Sequence, residues 1–268
     1  MLRNIMISAF ASAALVILAG CNMAGTRTAG ADYQTNLDRT ISSGTLRTLT
    51  LRTGAGTIKI VGEESRRSIE IEGIVSTHAE SYQEAKRIAG EVTLNIQADK
   101  TENPVVAISE PLIASGDQYY TCDLTIRVPH TVQVTLNDSA GDVEIYGLAS
   151  GLKLTGDSGK VTVEGMNGGL VIHTAGSKTS IRDAIGHLQI TDGDGDLEIA
   201  MISGDVAIQD AGGKLLVQNI TGNVTASDNP AGVTLKNIDG DVTLIRISPA
   251  SSRIQGVTGN LSYPSGTE

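Results

Sequence analysis

Residues 186–208 read GHLQITDGDGDLEIAMISGDVAI, and three features in them recur at a spacing of nine. Leu188, Leu197 and Val206 form one apolar series, and Ile190, Ile199 and Ile208 form a second, two residues later. Gly186, Gly195 and Gly204 stand two residues ahead of the first series. Followed outward, the paired columns extend from Val143 and Ile145 to Val242 and Leu244. They fill 24 positions, 23 of them apolar, with Thr179 the exception; the 40% apolar content of the chain would put about 10 there. The position two ahead is small in every unit from Gly141 to Gly240, and mostly polar residues such as Glu144, Lys153, Gln189 and Glu198 sit between the columns. Apolar, polar, apolar is the signature of a half-buried strand.

Short strands every nine residues suit an antiparallel sandwich or barrel as well as a solenoid, and a second period separates them. Three residues after the second apolar column, alternate units carry Leu148, Met166, Ala184, Ile202, Ile220 and Ile238, while the units between carry Asp157, Ala175, Gly193, Ala211 and Asn229. The repeat is therefore 18 residues, two strands and two unlike corners, as a stack of identical coils requires. One corner is expected to tuck an aliphatic side chain inward and the other to stay small and wet. The fold class is all-β: a single-stranded β-solenoid, or β-helix, of about 18 residues per coil over 137–262. From Gly141 to Leu244 it makes nearly six coils, about 28 Å long at ~4.8 Å per strand.

Residues 44–136 read as an irregular N-terminal β region of longer alternating runs, Leu49/Leu51, Ile58/Ile60, Ile69/Ile71 and Leu124/Ile126/Val128 among them. Leu49 to Ile58 and Val134 to Val143 are again nine apart, so this region joins the same stack. One short helix is expected at about 78–89, with Thr77-His78-Ala79-Glu80 as its capping box, Tyr82, Ala85, Ile88 and Ala89 as its apolar stripe, and Gly90 as its stop. It is placed to cover the open end of the solenoid, whose unpaired edge otherwise invites aggregation. From Arg246 the chain reads as the opposite cap, with 263–268 as a tail.

The chain has 268 residues, 31 Gly, 2 Cys, 1 Phe, no Trp and a formal charge of -10, which excludes nucleic acid as a natural partner. Residues 1–20 carry one charge, Arg3, ahead of an apolar run from Ile5 to Leu18, the pattern of an export signal and short for a membrane span. The run ends in Leu18-Ala19-Gly20-Cys21, which resembles the lipobox of bacterial lipoproteins. That resemblance implies lipidation of Cys21, attachment to a membrane without spanning it and, from Asn22, an outer-membrane destination if the source has two membranes. Residues 21–43 are rich in Thr, Ala, Gly, Ser and Asn and read as a flexible tether. With Cys21 lipidated, Cys122 has no disulfide partner, and its place on the Leu124, Ile126, Val128 face makes it a small buried hydrophobe.

Residues able to do chemistry are scattered. His78, His130, His173 and His187 show neither metal spacing nor a neighbouring nucleophile motif, and no phosphate-binding loop, dinucleotide fingerprint or serine elbow is present. Asp192-Gly193-Asp194-Gly195-Asp196 departs from calcium loops, with Leu197 where an EF-hand requires Gly. Asp192, Asp210 and Asp228 share one column at 18-residue spacing, where stacked carboxylates either chelate a cation or cap their own turns and splay into water, the second being the ordinary outcome. Asn219 and Asn237, on the opposite corner, suggest a short amide ladder. No cofactor, metal or catalytic set is expected. Residues 131–268 hold 16 acids against 8 bases, so the solenoid is the acidic part of the chain.

The unit Gly-Asp-Val-x-Ile, as in Gly141-Asp142-Val143-Glu144-Ile145 and Gly204-Asp205-Val206-Ala207-Ile208, is similar to a widespread bacterial family of adhesin-like proteins of unknown function. The likeness covers roughly residues 44–262 and implies an exported or membrane-attached β-solenoid; the family brings no catalytic residues. The reading is a lipid-anchored cell-envelope solenoid that acts as an adhesin-like binding or scaffolding module through a rigid acidic face, with an envelope protein or polymer as partner. The alternative is a polysaccharide-acting β-helix enzyme, for which Arg182 beside Asp183, near Asp192, is the place to look.

Overall fold

The computed structural model describes residues 30–42, 46–97, 103–111, 113, 117–156, 159–176 and 178–263. The leader, Cys21 and the residues up to 29 lie outside it. Strands β1 (Ala31–Asn36), β2 (Arg39–Ser42), β3 (Thr48–Ala55), β4 (Ile58–Glu63) and β5 (Ser68–Ala79) precede helix α1 (Tyr82–Glu91), and β6 (Thr93–Gln97), β7 (Val105–Ser109) and β8 (Tyr119–Pro129) follow it. The repeats comprise β9 (Gln133–Ala140), β10 (Val143–Tyr146), β11 (Leu152–Gly156), β12 (Lys160–Asn167), β13 (Leu170–Thr174), β14 (Lys178–Ile185), β15 (Leu188–Asp192) and β16 (Asp196–Ser203). They continue as β17 (Val206–Asp210), β18 (Leu215–Thr221), β19 (Val224–Ser227), β20 (Val233–Asp239), β21 (Val242–Ile245), β22 (Arg253–Val257) and β23 (Leu261–Ser262).

Even-numbered repeat strands line one sheet, here sheet A, and odd-numbered ones line sheet B. Every neighbouring pair from β9 to β23 is parallel, with partners 18 residues apart as far as β21, as in Val143↔Val161 and Leu188↔Val206, and 19 apart in the last two pairs, as in Leu235↔Ile254 and Val242↔Leu261. The expected solenoid of about 18 residues per coil is present, with about seven coils. Both apolar columns face inward: Val206 is 1% exposed and Ile208 3%, and Thr179 is fully buried. The second period has a backbone cause. At Asp183, Met201, Asn219 and Asn237 the sheet A strand takes a left-handed residue, φ between +52° and +58°. The bend turns the next side chain inward, and Ala184, Ile202, Ile220 and Ile238 are 0–2% exposed.

The recurring Gly-Asp is explained by the A-to-B corner. Gly204 has φ +148°, and a Cβ there would stand 2.1 Å from the carbonyl oxygen of Gly186 one coil below, closer than any side chain tolerates. The Asx residue that follows caps the next coil: Asp205 Oδ1 accepts from Asn223 N (2.8 Å), Asn223 Oδ1 from Asp241 N (2.9 Å) and Asp241 Oδ1 from Asn260 N (2.7 Å). Aspartate alternates with asparagine along this file. Ionised neighbours are thereby spaced two coils apart, roughly 9.6 Å, about the screening length at physiological salt. At the other corner Asp142 caps Lys160 N and Asp196 caps Lys214 N in the same way.

The N-terminal region joins the stack out of chain order. The β3/β4 coil fits beneath β9/β10, with Leu49↔Val134 and Ile58↔Val143, while β8 and β7 lie on its far side. After β4 the chain leaves to build β5, α1, β6 and β7, then returns. Residues 31–42, expected within the tether, instead form β1 and β2, which pair antiparallel with β5. Their Thr-containing alternation, with Tyr33 partly buried against the core, suits an edge strand.

The helix also starts later than 78–89. Strand β5 runs through Thr77 to Ala79, because Val75, Thr77 and Ala79 continue its buried face. Thr77 Oγ1 donates to the Ala85 carbonyl (2.8 Å) and caps nothing. The working cap is Ser81, whose Oγ accepts from Glu84 N at 3.3 Å, and Gly90 lies inside the last turn, with Val92 as C-cap. Ala85 and Ile88 pack with Ala79 of β5, Tyr33 of β1 and Tyr120 at the start of β8. The edge of β8 is thus covered by antiparallel strands, with the helix laid against them. No helix among the described residues is long and apolar enough to cross a membrane.

Candidate functional site

The outward side chains of sheet A form two lengthwise files. Glu72, Thr125, Lys59, Glu144, Thr162, Ser180 and Glu198 are successive register partners in one; Glu70, Arg127, Val61, Tyr146, Glu164 and Arg182 are in the other. Strands about 4.8 Å apart bring opposite charges into contact along and between the files. Arg127 Nη1 donates to Glu72 Oε2 at 2.7 Å, with Glu63 and Glu70 within 3.7 and 3.9 Å. The hydrogen bond to Glu72 and the surrounding carboxylates hold the Arg127 guanidinium above its ordinary pKa. Lys59 Nζ lies 3.6 Å from Glu144 and 5.3 Å from the Tyr146 ring centroid. Farther along, Glu198 pairs with Arg182 and Lys178. Sheet B differs: Thr135, Thr155, Gln189, Thr191, Gln209 and Thr225 dominate its outward positions, and Lys153 is the only Lys, Arg, Asp or Glu on that face among described residues from β11 to β21.

Where β2 and β5 meet the outer face of β8, β4 and β10, a groove of about 840 Å³ opens. Its ionisable lining is Asp38, Glu70, Glu72, Asp123 and Glu144 against Arg39 and Lys59, with half-exposed Ile74 at one wall. Asp123 is partly committed, its Oδ1 accepting from Thr57 N at 2.7 Å. No sequence motif marked this groove, because its walls come from five separated segments that meet only through the displaced β3/β4 coil.

The residues singled out in the sequence do not assemble into one site. Arg182 is on the outer face of sheet A, Asp183 sits at the left-handed bend, and Asp192 is buried at the end of a sheet B strand, so the constellation proposed for an enzyme does not form. His78 Nδ1 lies 2.6 Å from Asp32 Oδ1, and its ring stacks on Tyr119. His173 lines a shallow groove on sheet B, His187 is exposed at a corner, and the Nδ1 of His130 is buried without a partner. No three His, Cys, Asp or Glu side chains among the described residues are grouped to hold a metal ion. Cys122 is 3% exposed, and burial, then the charge of Asp123, pushes its thiol up to about 11; at neutral pH it is an inert packing group.

The acidic column is built otherwise than expected. Asp192 and Asp210 do not splay into water but lie 3% and 0% exposed. Asp228 leaves the column: its φ is +70°, and it pairs with Arg246 at 2.5 Å, which holds its carboxyl below the ordinary range. Asn229 takes its place and is fully buried, whereas Ala175 and Ala211, small residues expected to face water at this corner, are exposed, and Gly193 is half-buried. The amide ladder is present, Asn237 Nδ2 donating to Asn219 Oδ1 at 2.9 Å.

No protein-family model matches the chain, and no curated protein does. Among solved structures the chain is similar to a "putative adhesin" from Bacteroides fragilis, at 11% identity over 85% of this chain and 97% of that one, TM-score 0.40. It is also similar to a "putative cell adhesion protein" from Clostridium sporogenes, at 12% identity over 86% and 99%, TM-score 0.31. A "putative adhesin" from Parabacteroides merdae aligns at 14% identity over 85% and 95%, TM-score 0.29.

Proposed function

We propose that the protein is an adhesin-like binding or scaffolding module of the bacterial cell envelope, held to a membrane by lipid on Cys21, with the groove and ion-paired outer face of sheet A as its contact surface. The groove carries this reading: a concavity of about 840 Å³ with five acids and two bases in its walls, mounted on a fully packed stack of parallel strands. Such a support holds side chains at fixed spacing, so little ordering cost falls on binding. The excess of acid over base suits a partner that presents cationic or hydrogen-bond-donating groups, an envelope protein or polymer. No catalytic step is part of the proposal.

Two measurements test its parts separately. Metabolic labelling with a radioactive fatty acid should mark the chain and place it in the membrane fraction, and Cys21→Ala should abolish both; a labelled Cys21→Ala protein refutes the anchor. Binding to isolated envelope fragments should fall by about tenfold in the double variant Glu70→Lys/Glu72→Lys, equivalent to ~1.4 kcal/mol, and stay unchanged in Thr135→Lys on sheet B. Equal binding by all three proteins removes the groove from the reading.

A further inference from the structure

At the end of each sheet B strand, one column runs through successive coils as Thr174, Asp192, Asp210 and Asn229, and it turns into the protein. Thr174 is 7% exposed, Asp192 3%, and Asp210 and Asn229 are fully buried. Thr174↔Asp192 and Asp192↔Asp210 are register partners, so adjacent members stand roughly 5 Å apart. Each uses one oxygen to close a local turn. Thr174 Oγ1 accepts from Gly176 N, Asp192 Oδ1 from Gly193 N, Asp210 Oδ1 from Gly212 N and Asn229 Oδ1 from Ala231 N, at 2.8–3.1 Å. The remaining atoms differ. Asp210 Oδ2 receives a hydrogen bond from Asn229 Nδ2 at 2.6 Å, whereas Asp192 Oδ2 is buried with no partner.

Two adjoining carboxylates away from water cannot both stay ionised without a counter-charge. The charged groups bearing on the pair offer none: Asp194 adds negative charge to both, and Asp196 adds it to Asp210. From β13 the neighbour is the uncharged Thr174, with His173 on the outer groove. On the flanking sheet A strands, Lys178 Nζ is drawn to Glu198 at 3.8 Å, and Lys214 enters through its backbone N–H on Asp196. At the next corner Asp228 is paired with Arg246. No metal-holding group is present among the described residues. Asn229 indicates what fits: on the far side of Asp210, the same column position presents an N–H donor, which a protonated Asp192 matches in shape and donor capacity.

We propose that Asp192 and Asp210 hold one proton between them in the native stack, carried on Asp192, and that the seam between β15 and β17 is therefore a pH-sensitive joint of the solenoid. Burial first, then the charge of Asp210, pushes the Asp192 carboxyl up to about 7, against the opposing Gly193 N–H bond, and burial raises Asp210 as well. The sign follows from linkage. An unfolded aspartate loses its proton near pH 3.9, so between about pH 4 and 7 the native chain binds more protons than the unfolded one, and its stability falls as pH rises through that window. Above it both states are ionised, and the seam between the Gly193–Gly195 and Ala211–Gly213 corners carries two unbalanced charges.

The test compares wild type with Asp192→Asn, which keeps the acceptor for Gly193 N and presents a permanent donor toward Asp210. Urea unfolding of the full-length chain from pH 4 to 8.5 should show the folding equilibrium of wild type declining relative to the variant by up to tenfold per pH unit as far as pH 7, then running parallel. Infrared spectra of the wild type at pH 6 should contain the carbonyl stretch of a buried protonated carboxyl, and the band should vanish by pH 8.5. This measurement stands even if the variant fails to fold. Parallel behaviour over the whole range, or no such band at pH 6, overturns the proposal. So does a rise in the wild-type midpoint at pH 6 on adding calcium or potassium that Asp192→Asn lacks, because the counter-charge would then be a metal ion.

Discussion

Thr179→Val should make the protein more stable, and the size of the gain follows from its surroundings. Thr179 is the single polar residue in the two inward columns, 0% exposed, between Val161 and Leu197 in register. Its Oγ1 has no hydrogen-bond partner. A buried hydroxyl left unpaired costs about 1–3 kcal/mol, and a methyl of the same size in its place adds apolar burial worth up to about 0.8 kcal/mol. Valine keeps the β-branched shape and needs no repacking, so a net gain of about 2 kcal/mol is expected. With a urea dependence of about 3 kcal/mol per molar, the unfolding midpoint should rise by roughly 0.7 M. Thr179→Ser, which keeps the hydroxyl and removes the methyl, should move it the other way by about 1 kcal/mol. A Thr179→Val midpoint equal to or below that of the wild type refutes the reasoning, for it would mean that the hydroxyl is hydrogen-bonded in solution.

Gly204→Val forces a side chain to within 2.1 Å of the Gly186 carbonyl at φ +148°; it should lose upwards of about 3 kcal/mol, and thermal melts should place it far below Glu198→Thr, which breaks half-exposed ion pairs worth about 0–1 kcal/mol. Met201 holds φ +58° where its stacked equivalents are Asp183 and Asn219, so Met201→Asn should raise the melting free energy by about 1 kcal/mol, and a loss would show that the bend is not strained. Asn223→Asp puts a third carboxylate between Asp205 and Asp241, and should cost about 0.5–1 kcal/mol at low salt and recover in 1 M NaCl; a deficit independent of salt would point to lost hydrogen bonding rather than repulsion.

The coil was legible because stacking imposes identity: a residue at position i must suit the environment of i+18, and Val143, Val161, Leu197, Leu215, Val233 and the rest repeat on that account. The axial order of the coils left no such mark. Leu49 to Ile58 has the same nine-residue step as Val134 to Val143, and any such coil fits beneath any other, so the insertion of β3/β4 and the groove it creates were invisible. Local ambiguity accounts for the other misses. Thr77-x-x-Glu80 and Ser81-x-x-Glu84 both satisfy the capping pattern, and the first fails because the alternation of Val75, Thr77 and Ala79 carries the strand through it. Asp228 continues the 18-residue count from Asp192 and Asp210, but at the corner before β20 it takes φ +70° and turns out to Arg246, and the inward place passes to Asn229.

This changes where a partner is to be sought. Acid content concentrated in the repeats suggests an acidic face, yet Asp142, Asp196, Asp205 and Asp241 are corner residues whose Oδ1 atoms are taken by backbone N–H groups of the next coil, and Asp192 and Asp210 are buried. These six carboxylates belong to the mechanics of stacking, each satisfying an N–H that the turn would otherwise leave unpaired. Among the exposed surfaces, the one where mixed charge and concave relief coincide is sheet A at the irregular end. There Glu70, Glu72 and Glu144 face solvent with Lys59 and Arg127 among them, and β2 and β5 raise a wall beside them. A regular stack offers the same shallow relief at every coil, so selectivity for one partner has to come from the place where the regularity breaks.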